Sequence, residues 1–379
     1  MSGKHSRNAP LIMLVAGGSG GHLFPAASVV QVLRRLRPAW RVGLVMTRDP
    51  RDQRSLASLP EVLRDPQVEV AWMPRISTRW WRRMMGLPHL WSMSRQLLRR
   101  WQPAALLSFG GWLSVPVVFA AKCRRVPVML HEQNVQPGRA NRLLGRWADG
   151  VAVSFEETKR LWPRVAWKMT VTGNPIRFLE EPPPRAAARH QWGITDGALT
   201  ILGVGGSGGA QAINEALPEA CAQLPRELLA QLQIIHLTGN HRTDAVLDRY
   251  RSVGVSARVL PFLDQMASAY CAADLAVARA GASTVAELAH FGCPAILVPY
   301  PYARGHQRQN AQHVEQAGGA VVFEQDARLI PQLAETLARW LKAPEQLTPM
   351  RAHMRSVAQS DAATRAAQTL LALTKESGA

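Results

Sequence analysis

A glycine-rich turn occurs twice in this chain, each time between an apolar strand-like run and a helix-like run. The first copy reads GGSGGHLFPA after LIMLVA, and the second reads GGSGGAQAIN after LTILGV. Glycines at such a turn let backbone N–H groups approach a ligand closely, and the N-terminus of the following helix favours negative charge. The repeat therefore predicts two similar domains, each with an anion-binding loop after its first strand.

Short apolar strands alternate with helical patterns on both sides of a proline-rich break. The chain has 379 residues, which suits two domains, and the break EEPPPRAAARH at 180–190 fits neither a central strand nor a helix interior. We predict two Rossmann-like, doubly wound α/β domains at 1–179 and 191–355, with a linker at 180–190 and a closing helix at 356–379 that packs on the first domain. Ligands bind beyond the carboxyl ends of such strands, so the domains are expected to face one another across a cleft.

The charge of the chain points to an anionic partner. Lys and Arg number 45 against 27 acidic residues, a formal charge of +18. This excess is compatible with nucleic acid, an anionic membrane surface or an anionic substrate.

The four cysteines have no paired spacing, which indicates a reduced cytosolic protein without a structural metal. The N-terminal residues are not apolar enough for a secretory signal.

Two other patterns resemble familiar motifs but fit them poorly. The uncharged stretch 104–121 approaches the length of a membrane span, but its glycines and Pro116 predict a strand, a turn and a helix start instead. The second glycine turn contains Gly203-x-Gly205-x-x-Gly208, yet the next strand ends without the acidic residue that a dinucleotide site uses. We therefore expect no NAD, FAD or other cofactor.

Seven motifs taken together resemble the MurG family of glycosyltransferases, which belong to family 28 and have the GT-B fold. The motifs are GGSGGHLFPA, SFGGWLSVP, VPVMLHEQN, GNPIR, GVGGSGGAQAIN, RAGASTVAELAHFGCPAILVPYP and HQRQNA. The resemblance implies an inverting transfer of N-acetylglucosamine from UDP-N-acetylglucosamine to the 4-hydroxyl of undecaprenyl-diphosphoryl-N-acetylmuramoyl-pentapeptide. This reaction converts lipid I to lipid II in peptidoglycan synthesis. The chain departs from the usual family residues at Ser19, Trp112, Gly208 and Gly305.

The resemblance also implies a set of donor-binding residues. No Asp-x-Asp pair lies beside the glycine loops to hold a cation, so we expect no metal ion. The donor-binding residues are Ser19, Gly20, Gly21, Asn134, Arg177, Ser207, Leu263, Ala282, Ser283, Thr284, Glu287 and Gln307. Backbone N–H groups of the second glycine loop, with the Ser207 hydroxyl, are expected to stabilise the charge of the leaving diphosphate. The backbone of Leu263 is expected to meet the uracil edge. Gln307 is expected to bind the hydroxyls of the transferred sugar, with His306 beside it as a second candidate.

Two of the candidate residues have alternative interpretations. His22 lies at a helix start, where the dipole favours a neutral imidazole that could act as general base, but it could equally shape the loop. Glu287 is expected to bind the ribose hydroxyls of UDP, although TVAE is also a capping-box pattern in which Thr284 caps the helix. We favour the ribose role for Glu287 and retain the cap for Thr284.

The segment 75–101 combines seven arginines and four tryptophans with no acidic residue. Such a mixture suits an anionic membrane surface, single-stranded nucleic acid, or a helix that is half core. The family resemblance favours a peripheral contact with anionic lipids at the cytoplasmic face of the inner membrane, with other cell-wall synthesis proteins as candidate partners and no nucleic acid. The predicted membrane-contact residues are Arg75, Arg79, Trp80, Trp81, Arg82, Arg83 and Trp91. The rival hypothesis is a nucleotide- or RNA-binding protein without catalysis.

Overall fold

The computed structural model describes residues 9–17, 20–47, 65–74, 80–177, 181–206, 208–239, 243–302 and 305–375. The chain divides into two compact units. The first comprises Met1–Arg177 together with Asp361–Ala379, and the second comprises Phe178–Ser360.

The described part of unit 1 contains a seven-stranded parallel sheet in the order β3-β2-β1-β4-β5-β6-β7. Its strands are β1 (Leu11–Val15), β2 (Arg41–Thr47), β3 (Val68–Met73), β4 (Ala105–Ser108), β5 (Val128–Glu132), β6 (Gly150–Val153) and β7 (Met169–Val171). Its helices are α1 (Gly20–Leu36), α2 (Trp80–Trp101), α3 (Ser114–Lys122), α4 (Arg139–Leu144) and α5 (Glu157–Leu161), followed by a 3-10 helix at Pro163–Lys168.

The described part of unit 2 contains a six-stranded parallel sheet in the order β10-β9-β8-β11-β12-β13. Its strands are β8 (Leu199–Val204), β9 (Leu232–Leu237), β10 (Ser256–Leu260), β11 (Leu275–Ala278), β12 (Ala295–Leu297) and β13 (Ala320–Val322). Its helices are α6 (Arg185–Trp192), α7 (Gln211–Ala222), α8 (Arg226–Leu229), α9 (Thr243–Val253), α10 (Met266–Ala272), α11 (Ala282–Phe291), α12 (His306–Gln316), α13 (Leu329–Lys342) and α14 (Leu347–Ser356).

The strand order creates one topological switch point in each described sheet. In unit 1 the first strand β1 pairs with β2 on one side and β4 on the other, and in unit 2 the first strand β8 pairs with β9 and β11. The loops after β1 and β4, and those after β8 and β11, therefore diverge at these points and leave a crevice at the carboxyl ends. The prediction of two doubly wound α/β domains is confirmed.

The strands of both sheets are apolar along nearly their whole length, because helices cover both faces of such a sheet. Every residue of β1, β4, β6, β8 and β11 is buried. Burial on both faces explains why these strands show no alternation of apolar and polar residues. The uncharged stretch 104–121 forms β4, a turn and most of α3, as predicted, and no helix in the described ranges is long and apolar enough to cross a membrane.

The chain returns to unit 1 at its C-terminal end. Helix α15 (Ala362–Lys375) packs on α1, β4 and β6. It follows Asp361, which has a positive φ of 59°. Helix α14, which includes residue 356 of the predicted closing helix, is part of unit 2.

The proline-rich segment differs from the predicted linker in its second half. Residues from Arg185 onward form α6, which packs on α10 within unit 2. Pro184 is the N-cap residue of this helix, and the following RAAARHQW has high helix propensity and ends at Gly193 with φ 65°. The three prolines therefore precede a helix start, so they do not mark an extended connection through residue 190.

Candidate active site

His22 lies in the first turn of α1, where it contacts the first glycine turn. Its Nδ1 atom is 2.6 Å from the carbonyl oxygen of Gly17. Because a carbonyl only accepts, a neutral His22 carries its proton on Nδ1, and Nε2 keeps a lone pair. The ring is half-buried and lies 3.6 Å from the position that a Cβ of Gly111 would take. This tautomer is the one that a general base acting through Nε2 needs.

A chain of hydroxyl groups holds the neighbouring turn after β4. The Ser114 hydroxyl donates to the carbonyl oxygen of Gly110 at 2.6 Å, and the Ser108 hydroxyl donates to Ser114 at 2.6 Å. Gly110 and Gly111 have φ values of 89° and 78°, a region that residues with a Cβ rarely adopt. The SFGG motif thus forms a fixed turn at the same switch point as His22.

Glu132 organises the loop between β5 and α4 from a buried position. One carboxylate oxygen accepts from the backbone N–H and side-chain amide of Asn134, at 3.0 and 3.2 Å. The other accepts from the backbone N–H of Gly138 and the side-chain amide of Asn141, both at 2.9 Å. Asn134, a predicted donor contact, is therefore held in place by a carboxylate that our sequence analysis did not select.

His131 is fully buried beside this loop and is neutral. Burial lowers the pKa of its imidazole to about 4, and the nearby His22 adds a smaller lowering effect. Its Nε2 is 3.1 Å from the carbonyl oxygen of Gly173, in the GNPIR segment after β7. In the same segment Arg177, another predicted donor contact, stacks over the ring of Phe24 with its guanidinium carbon 4.8 Å from the ring centroid.

The second glycine loop divides into glycines that pack against backbone and glycines that face open space. A Cβ on Gly205 or Gly209 would come within 2.2 Å of backbone atoms of Ala210 and Thr238 respectively. A Cβ on Gly206 or Gly208 would meet no atom of the other described residues within 4 Å. The packed glycines hold the loop against its neighbours, while the other two leave its outer side accessible to a ligand at the start of α7.

A buried polar network lies beneath this loop. His236 bonds through Nδ1 to the Tyr250 hydroxyl at 2.9 Å and through Nε2 to Asn214 Oδ1 at 3.0 Å. The Asn214 side-chain amide then donates to the carbonyl oxygen of Thr238 at 3.0 Å. Burial lowers the pKa of His236 to about 4, so the network carries no charge at neutral pH. It supports the Thr238 carbonyl against which Gly209 packs.

Glu287 is a buried residue in the middle of α11, and the predicted capping box is wrong. The N-cap residue is Gly281, extended at φ −64° and ψ 145°, and no side chain of the described residues caps this helix. Because Gly281 allows the helix to begin early, Thr284 already lies inside it. Glu287 instead accepts a hydrogen bond of 2.7 Å from the Tyr270 hydroxyl. The capping interpretation therefore does not explain this carboxylate.

The other predicted residues of unit 2 lie at the carboxyl ends of its strands. Ala282, Ser283 and Thr284 form the first turn of α11, after β11, and Leu263 follows β10. Within the part of the chain that the structure describes, the Ser283 hydroxyl is buried without a hydrogen-bond partner. Gln307, in the first turn of α12, accepts from the backbone N–H of Tyr300 at 2.9 Å, which orients its amide.

Arg279 is a buried cation at this edge that our sequence analysis missed. It donates to the carbonyl oxygens of Val298 and Pro299 at 3.1 and 3.3 Å and to Gln325 at 2.7 Å. Its guanidinium carbon lies 5.3 Å from the ring centroid of Tyr300. The sequence contains one signal that could have identified Arg279: it follows an apolar strand directly, in the motif RAGAS.

Only the second half of the basic segment can be compared with the prediction. Along α2, Leu90, Ser94, Leu98 and Trp101 are buried on one face, and Trp91 is partly buried against the same core. Trp91 is therefore a packing residue as well as a candidate membrane contact, since α2 must bury one face to attach to the sheet.

Several predicted residues lie outside the described part of the chain. They are Ser19, Ser207, Arg75 and Arg79, together with the side chains of Trp80, Trp81, Arg82 and Arg83. Gly20 and Gly21, which are described, begin α1 next to His22.

Comparison with known proteins identifies the family. Residues 12–153 match the glycosyltransferase family 28 N-terminal domain, and residues 200–369 match the C-terminal domain of that family. The chain is 36% identical over 377 residues to a UDP-N-acetylglucosamine--N-acetylmuramyl-(pentapeptide) pyrophosphoryl-undecaprenol N-acetylglucosamine transferase of Paramagnetospirillum magneticum, covering 99% of this chain and 100% of the relative. The chain belongs to glycosyltransferase family 28. A relative of the same name from Rhodospirillum centenum is 37% identical over 368 residues, covering 95% and 93% of the two chains.

Solved structures agree with the family 28 assignment. The crystal structure of MurG from Acinetobacter baumannii is similar with a TM-score of 0.74 and 29% identity, covering 96% of this chain and 99% of that one. A UDP-GlcNAc 2-epimerase from Neisseria meningitidis, solved with UDP-GlcNAc bound, has a TM-score of 0.67 over 96% of this chain and all of its own, at 13% identity. The second likeness concerns the fold alone. The family 28 chain therefore has the GT-B type of domain, as predicted.

Proposed function

We propose that this chain transfers N-acetylglucosamine from UDP-N-acetylglucosamine to the 4-hydroxyl of the undecaprenyl-linked muramyl-pentapeptide, with inversion at the anomeric carbon. The observation that carries this proposal is the sequence similarity to the N-acetylglucosamine transferase of Paramagnetospirillum magneticum, at 36% identity over 99% of this chain. The two glycine turns lie at the switch points where doubly wound sheets bind ligands.

In the proposed reaction, unit 2 holds the nucleotide. Glu287, a carboxylate next to the Tyr270 hydroxyl, accepts from the ribose hydroxyls, and the backbone of Leu263 meets the uracil edge. The open side of the second glycine loop, at Gly206 and Gly208, faces the diphosphate. As the bond from the anomeric carbon to the diphosphate oxygen breaks, loop N–H groups and the N-terminus of α7 stabilise the growing negative charge.

In unit 1, His22 Nε2 accepts the proton of the attacking hydroxyl. The contact with the Gly17 carbonyl keeps the Nδ1 proton in place and leaves Nε2 available for this step. Gly20 and Gly21 beside it, and Asn134 and Arg177 in neighbouring loops, remain proposed donor contacts. Glu132 positions Asn134 and does not itself touch the substrate in this mechanism.

We also propose that the enzyme acts as a peripheral protein at the cytoplasmic face of the inner membrane. The basic, tryptophan-rich segment 75–101 supports this, because its acceptor is a lipid and arginine with tryptophan suits an anionic interface.

The reaction is tested by measuring UDP release from UDP-N-acetylglucosamine with a purified lipid-linked muramyl-pentapeptide acceptor. We expect release that depends on the acceptor, with one N-acetylglucosamine added to the lipid, and undiminished rates in excess chelator because backbone groups replace a metal ion. An acceptor lacking the 4-hydroxyl is the matched control and should give no product. UDP release that is indifferent to the acceptor would show a different activity, and activity that EDTA abolishes and magnesium restores would contradict the metal-free step.

A further inference from the structure

Asn174 is a buried asparagine whose amide group has no hydrogen-bond partner among the described residues. Its exposed fraction is 4%, and neither Oδ1 nor Nδ2 bonds to any atom in the described part of the chain. An amide buried without partners loses its hydrogen bonds to water and gains nothing in return, which folded proteins usually avoid. Packing alone therefore does not account for an asparagine here.

The backbone around Asn174 is clamped by elements of the candidate active site. The preceding carbonyl, of Gly173, is 3.1 Å from His131 Nε2 at the end of β5. Two residues later, the carbonyl of Ile176 accepts from the Ser28 hydroxyl at 2.6 Å. Ser28 lies on α1, the helix whose first turn carries the candidate base. These bonds hold Asn174 beyond the carboxyl end of β7, on the side of the sheet where ligands bind.

A second buried asparagine in the same unit has a different environment. Asn141 is 2% exposed, and its Nδ2 donates to the His131 carbonyl at 3.1 Å and to Glu132 at 2.9 Å. Its amide is thus part of the network that holds the loop after β5. Asn174 has the same size and burial but makes no such contribution, so a structural role is assigned to Asn141 and not to Asn174.

We propose that Asn174 binds the acceptor, by donating to and accepting from a hydroxyl or acetamido group of its sugar. An amide offers both a donor and an acceptor, and sugar hydroxyls and acetamido groups offer the same pair, whereas a phosphate offers acceptors alone. The proposal rests on the proposed transfer reaction and adds a positioning contact to it. By holding a neighbouring group of the sugar, Asn174 helps to orient the attacking hydroxyl for proton removal.

The test compares Asn174→Leu with Asn141→Leu, because leucine has nearly the shape of asparagine but no polar atom. For Asn174→Leu we expect a Tm equal to or above that of the wild type, because an unpaired polar group is removed. We also expect kcat/KM for the acceptor to fall roughly 10- to 100-fold, with the Kd for UDP-N-acetylglucosamine unchanged. Asn141→Leu should instead lower the Tm, because Glu132 loses a buried donor.

Each outcome decides the proposal. A Tm for Asn174→Leu that falls as far as that of Asn141→Leu would show a structural role and overturn it. A preserved Tm with unchanged acceptor kcat/KM would mean that a trapped water, and not the acceptor, satisfies the amide. If the wild-type chain transfers no sugar to the acceptor, the proposed reaction fails first, and the assignment of the ligand fails with it.

Discussion

At the scale of single residues, the candidate base and the candidate ribose ligand each make a well-defined contact with a neighbouring group. His22 bonds to the Gly17 carbonyl and Glu287 to the Tyr270 hydroxyl. Substitutions that keep these contacts but remove the proposed function can distinguish a catalytic or ligand-binding role of each residue from a purely structural one.

For His22, alanine should lower kcat by about 10²- to 10⁴-fold, the usual contribution of a general base, while donor affinity changes little. The matched variant is His22→Asn, whose side-chain amide can still donate to the Gly17 carbonyl but cannot accept a proton. We expect it to keep the wild-type Tm and to remain as inactive as His22→Ala in steady-state assays. Recovery of activity in the asparagine variant would identify His22 as a scaffold of the loop.

For Glu287, we expect glutamine to weaken UDP-N-acetylglucosamine binding by roughly tenfold or more, since an amide can accept through only one of its two polar atoms. The fold should survive, because the amide oxygen can still accept from Tyr270. Tyr270→Phe is the control, which removes that bond at a cost of about 2 kcal/mol in stability, as for a hydrogen bond to a charged group, and leaves the carboxylate in place. Calorimetric titration with the donor should show a near-normal Kd for the control. A large loss of affinity in both variants would point to disturbed packing.

At the scale of elements, the glycines of the second glycine loop differ in how closely they pack against neighbouring backbone. Gly209 has φ 76°, and a Cβ there would lie 2.2 Å from the Thr238 carbonyl oxygen, whereas Gly208 has open space around it. The buried polar network of Asn214, His236 and Tyr250 fixes the backbone that Gly209 meets. Since that backbone cannot yield easily, the loop itself has to move if a side chain is added.

We therefore expect Gly209→Ala to lower the Tm by several degrees and donor affinity by more than tenfold, because both φ and the close contact oppose a Cβ. Gly208→Ala should leave the Tm unchanged, because a Cβ there meets no described atom within 4 Å, and it serves as the control for stability. Thermal unfolding and donor titration of the two variants provide the comparison. An equal loss of Tm in both would mean that loop flexibility, and not the packed position of Gly209, determines the stability of the loop.

At the scale of the whole molecule, part of the positive charge forms ion pairs within the protein. Arg185, Arg189 and Arg351 converge on the carboxylate of Asp274, with distances of 2.5, 3.4 and 3.9 Å. These arginines also donate to backbone carbonyls at the ends of neighbouring elements. The net charge of +18 is therefore not wholly a measure of what the surface binds.

The remaining charge motivates a prediction about membranes. Replacing Trp80, Trp81, Arg82 and Arg83 together should abolish binding to vesicles that contain anionic lipid, since each basic residue near such a surface contributes about 1 kcal/mol. Binding by the unmodified chain should weaken with salt but not vanish, because tryptophan insertion is insensitive to screening. Co-sedimentation, with single-stranded RNA as competitor, measures both effects.

The control for this experiment lies in unit 2. Replacing the exposed Arg226 and Arg251 lowers the net charge without touching segment 75–101 and should leave vesicle binding nearly unchanged. Turnover of a water-soluble acceptor analogue should survive in both variants. Loss of that turnover in the four-residue variant would place the segment in the active site or the core, and displacement by RNA would favour a nucleic-acid partner.

The residues alone were enough to predict the two doubly wound domains, the family and the loops at the switch points. Apolar runs, glycine turns and helix starts are local patterns, and their order along the chain defines the sheet topology. Two predictions from local pattern were wrong. Thr284 does not cap its helix, because the N-cap is Gly281, and residues 185–190 are not a linker, because a helix begins directly after Pro184.

Only the tertiary structure decided which polar groups have partners. The Glu132 loop network, the His236 network, the buried Arg279 and the unpaired amide of Asn174 depend on residues brought together from distant parts of the chain. Hydrogen bonding and burial are properties of the packed molecule, so no spacing along the sequence could specify them.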